Sequence, residues 1–268
     1  MCLSRWGWNS YFEAMWNEGN RENAIPARVV SQQRKFWRVA GAFGQCLAEA
    51  SGKLRLAAEE GAEWPAVGDW VSVEPHGAVA VAVIRTVLMR RNRLIRKSPG
   101  KKIVEQVIAA NVDTALVMSA LDGDFNPRRV ERYLAQCWES GVKPVLILNK
   151  ADACKNTSEK AAEMERVALG TPVCVVSAKT GQGIEEFKPL LIPGKTIVML
   201  GSSGVGKSSL TNRLLGESLQ KVKDMSVNGS RGQHTTTARE LFILPCGALL
   251  MDTHQGCANC SCGMRRKA

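Results

Sequence analysis

Gly201-Ser202-Ser203-Gly204-Val205-Gly206-Lys207-Ser208 is the stretch on which the reading of this chain turns. It has the spacing GxxxxGKS, follows the apolar run 196–200 and opens a helical pattern that reaches residue 215. A strand, a glycine-rich turn and a helix in that order form a phosphate-binding loop. The glycines let the chain wrap closely, so that successive backbone N–H groups and the helix N-terminus face the phosphates. Lys207 would neutralise β- and γ-phosphate oxygens as a catalytic cation, and the Ser208 hydroxyl would ligate Mg²⁺. With Ser209 on the same turn, these residues are candidates for nucleotide binding. The loop by itself says nucleotide and not which one.

Two loops upstream supply the base. Asn149-Lys150-Ala151-Asp152 follows the apolar run 144–148, and Ser177-Ala178-Lys179 follows 172–176. Asp152 can accept from the guanine N1–H and 2-amino donors, whereas adenine offers no such pair and would leave the carboxylate unpaired. Lys150 would lie along the base, Asn149 would tie its loop to the phosphate loop, and the second triplet would complete the guanine site. Apolar runs alternate with helical patterns from residue 112 onward, which predicts a parallel sheet wrapped by helices. The expected strands are 113–118, 144–148, 172–176, 196–200, 240–244 and 248–251, and the expected helices 127–139, 158–168, 183–190 and 207–215.

The order of the loops is unusual. Ordinary GTPases place the phosphate loop first, but here both base loops precede it. All three still emerge at the carboxyl ends of parallel strands, so a circular permutation leaves the pocket intact. The segments that sense the γ-phosphate then fall last in the domain. In the polar stretch 224–239, Thr236, with Thr235 next, could complete the Mg²⁺ shell, and His234 could position the attacking water or simply be solvated. The second sensing element should read Asp-x-x-Gly after a strand. Asp252 fits, as a Mg²⁺ partner through water, but Thr253-His254-Gln255-Gly256 puts the glycine one place late.

Residues 27–89 read as short strands with turn signals: 27–40, 44–50, 53–56, 69–74 and 79–89, a small all-β barrel. The adjoining stretch 85–102 carries eight basic residues and no acid. It reads as a solvated linker or as a contact for nucleic-acid phosphates. The whole chain of 268 residues has a net charge of +11, which suits an acidic polymer or a phosphate-bearing partner. No apolar run approaches the ~18 residues of a membrane span, and the N-terminus lacks the apolar stretch of a signal peptide. Five of the nine cysteines (Cys2, Cys46, Cys137, Cys154, Cys174) are widely scattered, which suits reduced thiols. The expected protein is a cytoplasmic monomer.

With NKAD, SAKTG, GSSGVGKSSL and RGQHTTTAREL in place, together with 65–71 (PAVGDWV) and 109–113 (AANVD), residues 27–253 resemble the ribosome small-subunit-dependent GTPase A family. That resemblance implies an N-terminal all-β OB-fold barrel and a circularly permuted α/β P-loop GTPase domain with a mostly parallel sheet. It also implies GTP/GDP as ligand with Mg²⁺, and slow hydrolysis of GTP stimulated by the 30S subunit. The expected role is late maturation of that subunit, with the barrel on 16S rRNA. The expected organisation is an extension (1–26), the barrel (27–98), the GTPase domain (99–253) and a tail (254–268).

The tail departs from the family, whose members continue into a zinc-binding domain. A two-nucleotide slip after codon 252 would restore Asp-Thr-Pro-Gly, so 254–268 is expected to be an out-of-frame tail replacing the end of the GTPase domain and the Zn²⁺ module. Cys257, Cys260 and Cys262 lack a fourth ligand at suitable spacing and are assigned no metal, with His254 a remote alternative as the fourth. Two other readings stay open: a nucleotide-dependent rRNA-binding module with impaired hydrolysis, and an ATP-dependent kinase or transporter subunit that shares only the phosphate loop.

Overall fold

The computed structural model describes residues 2–19, 23–33, 36–59, 64–74, 81–97, 105–216 and 239–252. The chain starts with a 3-10 turn (Leu3–Trp6) and helix α1 (Ser10–Asn17). Asn9 caps α1, its Oδ1 accepting from the N–H groups of Tyr11 and Phe12, which helix initiation would otherwise leave unsatisfied. Trp6 and Phe12 are buried, and Trp8 and Phe12 lie 4.6 and 5.7 Å from the Trp70 ring of the barrel. Much of the segment expected as an extension thus contributes to the core.

Five strands follow: β1 (Ile25–Gln32), β2 (Trp37–Gly41), β3 (Gly44–Ala50), β4 (Trp70–Glu74) and β5 (Val81–Val87). Their order, β1-β2-β3-β5-β4 with β4 pairing back onto β1, closes a barrel. Only β3 and β5 run parallel. Helix α2 (Gly52–Glu59) joins β3 to β4, as an OB-fold requires. Two expectations change here. The run 27–40 divides into β1 and β2 around a reversal closed by Gln33 N–H donating to Phe36 O. The stretch 53–56 is helix and not strand: the Leu-Arg-Leu alternation is short, Ser51 Oγ accepts from Leu54 N–H at the helix start, and Leu-Ala-Ala-Glu carries strong helix formers.

Next, β6 (Arg93–Lys97) and β7 (Glu105–Ala110) form an antiparallel pair. The described part of the basic run, 85–97, is therefore not a free linker, while 98–102 with Lys101 and Lys102 lie outside the described residues. Arg85 pairs with Glu74, Arg90 with Asp69 and Arg91 with Asp113.

The remaining strands are β8 (Thr114–Ala120), β9 (Lys143–Asn149), β10 (Val173–Val175), β11 (Thr196–Leu200), β12 (Glu240–Ile243) and β13 (Leu249–Asp252), in spatial order β10-β9-β8-β11-β13-β12. All neighbours run parallel except β12 and β13. Alternate residues serve opposite cores. On one face Ala115, Val117, Leu146 and Leu148 meet Val130, Leu134 and Cys137 of α3 (Pro127–Glu139) and Met164 of α4 (Thr157–Ala168). On the other, Leu116, Met118 and Ile197 meet Phe187 of α5 (Ile184–Phe187) and Leu210 and Leu214 of α6 (Lys207–Leu215). Burial on both faces is why these strands read as continuous apolar runs. The expected helix 183–190 is shorter, because Pro189 turns its second half into a 3-10 turn (Lys188–Leu190).

Barrel and parallel sheet meet in a polar seam. Ser31 of β1 registers with Glu240 of β12, so the two form one continuous hydrogen-bonded sheet. The buried Arg28 guanidinium donates to Gly68 O at 3.1 Å, Thr196 Oγ1 at 2.8 Å, Asn111 O at 3.4 Å and Trp6 O. Burial lowers its pKa to about 10, so it remains charged at neutral pH. Asn111 Nδ2 also donates to Gly68 O, and Arg90 clasps both oxygens of the buried Asp69 at 2.7 and 2.6 Å. Gly68 has φ +95°, and a Cβ there would lie 2.1 Å from Ala110 O.

Candidate nucleotide site

Four loops gather at the carboxyl edge of the parallel sheet, where a doubly wound sheet carries its ligand. The loop 201–206 leaves β11 and enters α6 at Lys207. Lys207 Nζ donates to the carbonyls of Gly201 at 2.9 Å and Ser202 at 2.7 Å, which places the ammonium over the loop. Ser203, Gly204, Ser208 and Ser209 are exposed around it, and Val205 is buried beneath.

Asn149, at the end of β9 and only 2% exposed, holds the three nucleotide motifs together. Its Nδ2 donates to Val205 O of the phosphate loop at 2.8 Å, and its Oδ1 accepts from Ala178 N–H at 2.9 Å. Gly206 makes the approach possible: at φ +102° a Cβ would stand 2.2 Å from Asn149 Nδ2. Asp152 Oδ1 accepts from the buried Ser177 Oγ at 2.6 Å, which fixes the carboxylate between the two base loops. Arg213 of α6 donates to Ala178 O at 2.8 Å and Lys179 O at 2.6 Å, so the phosphate-loop helix also grips the second base loop.

The fourth loop was not singled out in the sequence. After β8, the stretch 121–126 (LDGDFN) faces both nucleotide loops. Lys150 Nζ donates to Asp122 Oδ2 at 2.6 Å, and Ser202 Oγ donates to Asp124 Oδ2. Arg129 Nη1 reaches both Asp124 oxygens at 2.7 and 2.8 Å, and Lys160 donates to Leu121 O at 2.8 Å with its ammonium 5.0 Å from the Phe125 ring. Hydrogen bonding to Lys150 holds the Asp122 carboxyl below the usual carboxylate range. Arg129, then Ser202, does the same for Asp124. The available signal was an Asp-Gly-Asp turn directly after a buried parallel strand, a position that always opens onto the ligand edge.

Asp252 ends β13, beside β11, and is 3% exposed. Thr235, Thr236 and His234 lie outside the described residues, as do 253–268 with Cys257, Cys260, Cys262 and the proposed frame slip. Among the described residues, no helix is long and apolar enough to cross a membrane.

Comparison with known proteins gives the same picture. The RsgA GTPase family model matches residues 87–256. Among curated relatives, the small ribosomal subunit biogenesis GTPase RsgA of Syntrophotalea carbinolica is 42% identical over 263 residues, covering 94% of this chain and 71% of that protein. The protein of the same name from Opitutus terrae is 41% identical over 261 residues, with the same coverage. Among solved structures, YjeQ from Thermotoga maritima superposes with a TM-score of 0.64 at 29% identity, covering 86% of this chain and 74% of that one. YloQ, described as a circularly permuted GTPase, superposes at 0.60 and 21% identity, covering 90% and 74%, and supports the fold. On the family match and these relatives, with the base loops preceding the phosphate loop around one sheet edge, this chain belongs to the RsgA family of circularly permuted GTPases.

Proposed function

We propose that this protein binds GTP, hydrolyses it to GDP and phosphate, and does so on the small ribosomal subunit during its late maturation. The observation that carries the reading is the Asn149 side chain, which locks the base loops and the phosphate loop into one pocket. In that pocket Asp152 accepts from the guanine N1–H and 2-amino groups while Ser177 keeps it oriented, and Lys150 lies along the base. The N–H groups of 201–207 and the Lys207 ammonium take the phosphates. Ser208 on the first turn of α6, Asp252 through water and Thr236 are the oxygen donors for Mg²⁺, a set that suits a hard cation. When bound, Mg²⁺ neutralises charge on the phosphate oxygens. His234 is the candidate to orient the attacking water.

The relatives named for small-subunit biogenesis support the partner, and the net charge of +11 and the OB-type barrel support contact with 16S rRNA. A cytoplasmic monomer fits that role. The rRNA-binding module with lost hydrolysis is the less favoured reading, because the matching family and the named relatives are GTPases. Titration with GDP, GTP and ATP, then single-turnover hydrolysis and co-sedimentation with and without 30S subunits, tests the proposal. Guanine nucleotides should win over ATP, and 30S subunits should both bind and accelerate turnover. Equal affinity for ATP would return the kinase or transporter reading.

A further inference from the structure

The Asp122-Gly123-Asp124 turn places two carboxylates beside a pocket meant for polyphosphate, where bare negative charge would weaken binding. Each is paired, and each pairing reaches a different nucleotide loop. Asp122 accepts from Lys150 of the base loop and, through Oδ1, from Asp124 N–H at 3.0 Å, so the two acids are joined by their own backbone. Asp124 is held from behind by Arg129 Nη1 on α3, a helix whose start is fixed by Asn126 Oδ1 accepting from Arg129 N–H at 3.0 Å. In front it accepts from Ser202 Oγ. The carbonyl of that same Ser202 accepts from Lys207 Nζ at 2.7 Å. A chain of charge-assisted bonds therefore runs from Arg129 through Asp124 and Ser202 to the lysine that meets the phosphates. It is separate from the link through Asn149.

We propose that Asp124 is a positioning residue for the phosphate loop: anchored by Arg129, it fixes Ser202 and thereby where Lys207 stands, which prolongs retention of the bound guanine nucleotide. The inference rests on the guanine-nucleotide reading above. Charge-assisted bonds of this kind are shorter and stronger than neutral ones, and Arg129 Nη1, set between both carboxylate oxygens, holds Asp124 in place. Asp122 serves the same turn from the base side, by holding Lys150.

The sign of the effect separates positioning from simple charge. Release of N-methylanthraniloyl-GDP from the full chain is followed by stopped flow for Asp124→Asn, Ser202→Ala and the double variant. Loss of one such bond predicts release about tenfold faster for each single variant, and the double variant no faster than either, because both cut one chain. Arg129→Ala removes the anchor behind Asp124 and should speed release about threefold. It also tests the chain if Asp124→Asn does not fold. If Asp124 acted only as a local negative charge, Asp124→Asn would slow release. That result, unchanged release, or multiplicative effects in the double variant would overturn the inference. Failure of the unmodified chain to bind labelled GDP would instead overturn the function proposed above.

Discussion

The parallel sheet and the seam that joins it to the barrel share one apolar core but differ in how much polar order is added to it. Inside the sheet, β8, β9 and β11 bury apolar side chains on both faces, and order comes from shape: Leu116 packs towards α5 and α6 while Val117 packs towards α3 and α4. At the seam, order comes from direction. Arg28, Asp69, Arg90 and Asn111 are held by hydrogen bonds at fixed angles, and Arg28 alone joins the N-terminal turn, the barrel, the junction and the strand that leads into the phosphate loop. An apolar interior tolerates small adjustments, whereas a buried polar group left without its partner incurs its full desolvation cost. Apolar packing crosses the seam too, since barrel and sheet residues such as Trp70 and Met251 share one buried cluster, and the few polar residues add direction to that contact.

The sharpest way to break this comparison is Arg28→Ala. It removes the Arg28 donor from four acceptors, of which Gly68 O keeps the bond from Asn111 Nδ2, and should cost about 4 kcal/mol, read from the urea midpoint. Leu116→Ala removes a fully buried side chain from the sheet and should cost about 3 kcal/mol, within the usual range for such cavities. If Leu116→Ala proves the worse of the two, the seam is not what orients the halves. Gly206→Ala tests the site more than the scaffold. The strain at φ +102° and the clash with the buried Asn149 should reduce GDP affinity about a hundredfold and also lower the melting temperature by several degrees.

The smallest effect is chemical. Burial pushes the Cys137 thiol, on the buried face of α3, up to about 12, whereas hydrogen bonding to Ser4 lowers that of the exposed Cys2. At pH 8 iodoacetamide should label Cys2 within minutes and leave Cys137 unmodified until the protein unfolds, as peptide mapping would show. Rapid labelling of Cys137 in the native state would mean that the sheet interior opens far more readily than its packing implies.

Legibility in the sequence followed the same division. The helices Pro127–Glu139 and Lys207–Leu215 and the strand Thr196–Leu200 were read to the residue. Asn126 and Pro127 mark one start, and the glycine-rich loop marks both a strand end and a helix start. The barrel was less sharply legible. Its strands are short, the reversal at 33–36 has no glycine to announce it, and Lys-Leu-Arg-Leu imitates a strand inside α2. The β6–β7 pair was hidden by its charge, since a run of arginines reads as solvated until Asp69 and Asp113, distant along the chain, are seen to meet it. The motifs at 65–71 and 109–113 carried the family resemblance without revealing their work, which is to build the seam through Gly68, Asp69 and Asn111.

By itself, the sequence determined the nucleotide chemistry, the permuted order of the loops and the presence of a barrel followed by a parallel sheet. These depend on local patterns: glycines where the chain must wrap, an Asn-Lys-x-Asp loop at the end of a strand, apolar runs where both faces are covered. Only the tertiary structure decided that Arg28 joins the two halves, that the arginines of 85–97 largely serve ion pairs, and that Asp122 and Asp124 brace the pocket. Each of those roles belongs to a pair or a network of polar groups far apart along the chain. A hydrogen bond depends on distance and angle in space, and only the closed fold supplies those.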